Sequence, residues 1–260
     1  MYNFDVEKPG TIAEAATAMG VEDAQALGGG QTLIPTLKQR LASPSKLVSL
    51  SSVTEMRGIA KEGDSLRIGG ATTHATVAAD GSYPALSALA SNIGDPAVRN
   101  RGTIGGSLAN NDPAACYPAA ALASGATIVT NSREIAADDY FQGMFDTALD
   151  EGEIITAVKF PIPQAANYQK FVQPASRFAL VGVFVAKLAD GVRVAVTGTS
   201  NEGVFRWTEA EGALSTDFSA SALDGLSVPP DNMITDLHGS ATYRAHLVKV
   251  MTGRAVTAAS

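Results

Sequence analysis

The chain has 260 residues, 45% of them hydrophobic and 17% charged, with a formal net charge of −7. That balance suits a globular protein of one large domain or two modest ones, and argues against a nucleic-acid surface or a polybasic membrane anchor. A single cysteine excludes an internal disulfide framework. It also excludes an iron–sulfur cluster held by this chain alone, since such clusters usually take four thiolates.

The three histidines, His74, His238 and His246, lie far apart and have no zinc-site spacing. The amino terminus, MYNFDVEKPG, has acids and no apolar run, so it reads as neither a signal peptide nor an anchor. No stretch approaches the length of a transmembrane helix. The expected location is the cytoplasm.

In chain order, TIAEAATAMG (11–20) has helical apolar spacing and a glycine stop. AQALGGGQTLIPTLKQRL follows, predicting a short strand, three glycines and a helix from about Ile34 to Leu41, with Pro35 in its first turn. KLVSL (46–50) and SLRIGG (65–70) read as strands, and YPALSALASNI (83–93) as a helix. ATIVTNSREI (126–135) predicts a hairpin about Asn131-Ser132, and EIITAVKFPIP (153–163) a strand ended by two prolines. PIPQAANY (161–168) is the natural domain linker. Beyond it, FALVGVFVAKLADGVRVAVTGTS predicts two apolar strands joined by the turn ADG, and WTEAEGAL starts a helix. YRAHLVKVMTGRAV (243–256) places Leu247, Val248, Met251 and Ala255 on one helical face that should dock on that sheet. The expectation is an α+β region of about 160 residues followed by a smaller sheet-plus-helices domain.

Two glycine-rich segments stand apart from this pattern. In GGGQT, Gly28, Gly29 and Gly30 allow positive φ and convergent backbone amides, the geometry of an anion nest. The phosphate-loop pattern G-x-x-x-x-G-K-[ST] is absent, and a plain glycine turn is the alternative. The second segment, RNRGTIGGSLANNDPAAC (99–116), offers amides at TIGGS, the Thr103 and Ser107 hydroxyls, and the polar side chains of Asn110, Asn111 and Asp112. Two such nests can hold the two phosphates of a dinucleotide without lysines.

Together, GGGQTLIPTLKQRLASPSKLVSL and IGDPAVRNRGTIGGSLANNDPAACYPAAAL resemble the FAD-binding segments of the flavin subunit of molybdenum hydroxylases. This is the medium subunit of carbon monoxide dehydrogenase and of its relatives among xanthine, aldehyde and N-heterocycle dehydrogenases. The similarity runs in order through FALVGVFVAKLADGVRVAVTG to ATYRAHLVKVMTGRAV, nearly the whole chain.

The resemblance implies an α+β fold. A bipartite FAD-binding domain of the vanillyl-alcohol-oxidase (PCMH) type would span residues 1–163, in subdomains of about 1–55 and 56–163, and a small flavoprotein C-terminal domain 164–260. It assigns the pyrophosphate to Gly28, Gly29, Gly30, Gln31 and Thr32 and to Thr103, Ile104, Gly105, Gly106 and Ser107, with Ile104 also near the flavin ring. Asp112 and Cys116 complete the implied set for noncovalent FAD. An acidic residue often stands in the family where this chain has Cys116. Either the thiol, a poor acceptor, loses a contact to cofactor hydroxyls, or Cys116 is a small packing residue. Phe178 stands where the carbon monoxide enzyme has a tyrosine near the flavin, so a ring stack can persist and a hydroxyl bond cannot.

The implied function is electron transfer. A large subunit with the molybdenum cofactor oxidises the substrate, a small subunit with two [2Fe–2S] clusters relays electrons, and the flavin passes them to an external acceptor. The expected assembly is a heterotrimer or its dimer, with no catalytic acid or base on this chain. The competing readings are a stand-alone FAD oxidoreductase, for which His74 is the candidate base, and a nucleotide-binding regulatory or assembly module.

Overall fold

The computed structural model describes residues 1–174 and 177–259. Thr11 opens the first helix, Ile12–Met19, through a capping box: its hydroxyl accepts the Glu14 amide at 3.2 Å, and the Glu14 carboxylate accepts the Thr11 amide. That helix covers a parallel three-stranded sheet in which Lys46–Ser49 lies between Asp5–Glu7 and Ala24–Leu27. The expected glycine stop at Gly20 is present at the cap, with an ordinary φ of −73° rather than a left-handed one. The next helix is shorter than its apolar pattern, Leu33–Lys38, because the chain turns to a positive φ of 59° at Arg40.

The central antiparallel sheet has the order Ile59–Glu62, Ser65–Gly69, Ile155–Pro161, Thr127–Thr130, Glu134–Ala136. Its middle strand places Val158 opposite both Ile68 and Ile128, and all three are buried. The hairpin turn falls at Asn131-Ser132, as predicted. Helices Pro84–Ser91 and Tyr117–Ser124 cover one face. The second is buried at every position, which its alanine-rich composition permits.

Beyond residue 161 the expected linker is corrected. The middle strand runs through Pro161 and a new strand, Ala165–Val172, begins four residues later, so only 162–164 connect the sheets. Gln164 donates its amide to the Lys187 carbonyl at 2.8 Å, fastening that connection to the next sheet. This sheet is antiparallel, in the order Ala165–Val172, Ala179–Leu188, Gly191–Thr197, Phe205–Arg206. Strand Ala179–Leu188 reads as an unbroken apolar run because both of its faces are buried. Phe184 and Ala186 join Tyr83, Tyr168 and Phe160 in the first core, while Val181, Val183 and Val185 face the terminal helix. That helix, Ala241–Ala259, buries Leu247, Val248, Met251 and Ala255 on the predicted face.

The TIGGS segment forms helix rather than an open nest. Thr103 caps helix Ile104–Asn110 by accepting the Gly106 amide at 3.2 Å, and Asn111 ends it with a φ of 40°.

Candidate cofactor-binding site

The two glycine-rich segments meet. Strand Ala24–Leu27 delivers Gly28–Gly30 to the start of helix Ile104–Asn110. A β-carbon on Gly29 would collide with the Arg101 carbonyl, and one on Gly28 would lie 2.9 Å from the Thr103 hydroxyl. These glycines therefore let two stretches of backbone touch, and Gly30 turns the chain with a φ of 72°. A cavity of about 620 Å³ opens beside the contact, a volume in the range of small-molecule and cofactor sites.

The predicted residues take distinct positions around it. Gly28, Gly29, Gly30, Gln31 and Thr32 line it, as do Thr103, Gly105, Gly106 and Ser107. Asp112 and Cys116 also belong to the lining. Ile104 is fully buried in the core cluster and is not part of the lining.

The amides of the two segments differ in availability. Among the described residues, no hydrogen bond claims the amides of Gly29, Gly30, Gln31 or Thr32. Thr32 also leaves its own helix without a side-chain cap. These donors can bind an anion. The free amides expected at TIGGS are instead committed within the protein. Ile104 donates to Thr72, Gly105 to Gly70 at 2.9 Å, Gly106 to the Thr103 hydroxyl and Ser107 to Thr103. What this segment offers the cavity is close backbone at the exposed Gly106 and the Ser107 side chain.

Sequence reasoning did not single out several other wall groups. Gly70 and Ala71 follow strand Ser65–Gly69, and their glycine pair was a legible signal. A β-carbon on Gly70 would strike the Ile155 carbonyl, so this turn also exists for backbone contact. Lys170 and Arg177 contribute positive charge, with Lys170 donating to the Asn92 carbonyl at 2.9 Å. Nothing in the local pattern of AANYQKFV marks that lysine.

His74 lies in the wall and is 5% exposed. Burial, aided by the Arg99 charge, pushes its pKa down to about 4, so the imidazole is neutral near pH 7. Its Nδ1 has no partner among the described residues, and its ring is tilted against Tyr117 at 5.3 Å. Burial raises the Asp112 carboxyl above its ordinary value, opposed by the Ala114 amide it accepts at 2.8 Å. Cys116 is both wall and core: it is 5% exposed and sits in the cluster beneath the sheet. Phe178 borders the cavity and is half exposed, a position open to stacking against a planar ring.

A cavity of this volume lined by free backbone amides, the Thr103 and Ser107 hydroxyls, two cations and an aromatic ring suits a flavin dinucleotide. Among the described residues, no three His, Cys, Asp or Glu side chains are grouped to hold a metal ion. Fold and cavity thus define a dinucleotide-binding flavoprotein.

Comparison with known proteins gives the family. Residues 2–163 match the family described as FAD binding domain in molybdopterin dehydrogenase. The chain is 34% identical to the carbon monoxide dehydrogenase medium chain of Afipia carboxidovorans, covering 98% of this chain and 96% of that one. It is also 34% identical to the nicotine 6-hydroxylase medium subunit of Paenarthrobacter nicotinovorans, over 96% and 95% of the two chains. The crystal structure of the cyanide-inactivated Cu,Mo-CO dehydrogenase superposes with a TM-score of 0.88 at 31% identity, covering all of this chain and 98% of that chain. Quinoline 2-oxidoreductase from Pseudomonas putida 86 gives 0.88 at 29% identity, over 99% and 96%. The chain belongs to the FAD-binding subunit family of the molybdenum hydroxylases, and its cofactor is FAD.

Proposed function

We propose that this chain is the electron-collecting subunit of a molybdenum hydroxylase complex. Electrons reach it from the [2Fe–2S] clusters of a small subunit, fed by the molybdenum cofactor of a large subunit, and leave to an external acceptor. The observation that carries this reading is similarity along the full chain to medium subunits, joined to a cavity fit for FAD. When bound, FAD supplies reversible uptake and release of two electrons.

The chain's own residues do the binding and orienting. The free amides from Gly29 to Thr32 hold the pyrophosphate, and Ser107 and Asp112 address cofactor hydroxyls or phosphate oxygens. Gly105 serves from behind, by seating its helix on Gly70, and Ile104 by anchoring that helix in the core. Cys116 forms apolar wall, and Phe178 stacks at the open edge. The division into an FAD-binding domain at 1–163, with subdomains meeting near 55, and a smaller unit at 164–260 is part of the same reading. The change of sheet between Pro161 and Ala165 supports it.

The stand-alone oxidoreductase is disfavoured by His74. An imidazole with a pKa of about 4 is a weak base for proton abstraction from an organic substrate. Among the described residues no helix is long and apolar enough to cross a membrane; a cytoplasmic location of the complex is part of the same proposal. Isolation of the native complex should yield iron and molybdenum with the flavin, in one copy each of small, medium and large subunits or a dimer of that set. A flavoprotein that purifies alone and turns over an organic substrate would overturn the proposal.

A further inference from the structure

The chain 141–147, which the sequence pattern left unassigned, forms a two-stranded hairpin of Phe141–Gly143 and Asp146–Thr147. Its tip carries Met144, 40% exposed, and Phe145, 61% exposed. Phe145 has a φ of 58°, a region that bulky side chains avoid. The conformation is imposed from beneath. Asn111, 2% exposed, accepts the Phe145 amide on its carbonyl at 3.0 Å. Its side-chain nitrogen donates to the Gly143 and Asp146 carbonyls, each at 2.8 Å. On the other side, Gly203 fits against Gly143 so closely that a β-carbon would lie 3.2 Å from the Gly143 carbonyl. The hairpin is therefore stiff, and its rigidity serves to hold two apolar side chains in solvent.

Two further features say what this tip meets. Asn111 stands between Asn110 and Asp112, both of which line the cofactor cavity, so the prong and the flavin site share one short stretch of chain. Asp146, within the hairpin, and Glu202, beside the Gly203 that packs on Gly143, are exposed carboxylates, and neither takes part in an ion pair among the described residues. An aromatic anchor with an unneutralised acidic rim complements an apolar socket edged with lysine or arginine.

We propose that the Met144–Phe145 tip is the anchor by which this chain docks the iron–sulfur subunit, through a basic-rimmed apolar socket on that subunit. The inference rests on the electron-relay reading above. Electron transfer through protein falls off steeply with distance, so the donor must dock close to the flavin, and this prong is tied to its wall.

The test is assembly of the flavin-loaded chain with the small and large subunits of its own complex, followed by light scattering and titration. Phe145→Gly is the informative variant, because glycine accepts the positive φ and keeps the backbone N–H hydrogen bond to the Asn111 carbonyl. It should retain one FAD and melt no lower than the unaltered chain, yet bind the partner subunits at least tenfold more weakly. Phe145→Leu should recover most of that loss. Asp146→Lys with Glu202→Lys should weaken assembly at low salt and little at high salt. If the unaltered chain assembles and the Gly and Lys variants assemble equally well, the hairpin proposal falls while the relay reading stands. If the unaltered chain binds neither subunit, the relay reading falls and takes the hairpin with it.

Discussion

Gly105 and Gly106 are neighbours with opposite surroundings. A β-carbon on Gly105 would lie 2.6 Å from the Gly70 carbonyl, whereas one on Gly106 would meet only the Thr103 hydroxyl, at 3.0 Å, on the exposed side of the helix. Gly105→Val should therefore destabilise the fold, by roughly 1–3 kcal/mol or more, with a lowered urea midpoint even without cofactor. Gly106→Val should leave the apoprotein midpoint nearly unchanged and weaken FAD binding by about tenfold or more, equivalent to about 1.4 kcal/mol, as read by recovery of flavin fluorescence. His74 yields a pH dependence. Its folded pKa of about 4 lies below the ordinary histidine value of 6.5, so between those values the unfolded chain carries the proton and the folded chain does not. Stability is then full above about pH 6.5 and falls as the pH drops toward 4, by on the order of 3 kcal/mol. Denaturant titrations at pH 7 and pH 4.5 should show this slope, and His74→Gln should flatten it. An unchanged slope in the variant would assign the acid sensitivity elsewhere. That the two glycine motifs serve close backbone approach was legible in the sequence, and they meet at one cavity. Which amides remain free was not legible, because Gly29, Gly70 and Gly105 exist to let distant strands of backbone touch.

At the scale of elements, the terminal helix is held by one side chain as well as by its apolar face. Arg244 is 2% exposed, and it donates to the Leu180 carbonyl at 2.9 Å, the Gly198 carbonyl at 2.7 Å and the Asp236 carboxylate at 2.7 Å. Arg244→Leu strands two buried carbonyls, at roughly 1–3 kcal/mol each. The helix should become the first part of the chain to exchange amide hydrogens, while FAD content is preserved. Loss of FAD together with the helix would mean that the two ends of the molecule are coupled. The helix itself was readable from its 3.6-residue apolar spacing, and the hairpin Thr127–Ala136 from its turn residues. The linker was misplaced because PIPQAANY contains two prolines and small residues. Pro161 nevertheless sits at the end of a strand, and Ala165 and Ala166 pair with Lys187 and Ala186 in the next sheet. Hairpin Phe141–Thr147 was missed because its turn depends on Asn111, some thirty positions away, rather than on a local glycine.

Across the whole molecule, the sheets do not stand apart. Phe184 and Ala195 of the second half pack into the same core as Leu86 and Phe160 of the first, so the chain should unfold in a single transition rather than two. The change of pattern near residue 161 marks where the chain passes from one sheet to the next, but this shared core depends on both faces of strand Ala179–Leu188 being covered. FAD bound noncovalently should raise the free energy of that transition by mass action, by about 2.7 kcal/mol at a hundredfold excess over Kd, and its midpoint with it. Acid precipitation should leave all the yellow colour in the supernatant, and colour retained in the pellet would indicate a covalent bond. On the proposed function, this chain receives its electrons from a partner and not from an organic substrate. The direct measurement is anaerobic bleaching of the flavin, in the isolated chain and in the assembled complex, after addition of the substrate of that complex. The isolated chain should show an unchanged flavin spectrum and the complex rapid bleaching. Rapid bleaching of the isolated chain by the same substrate would contradict that function.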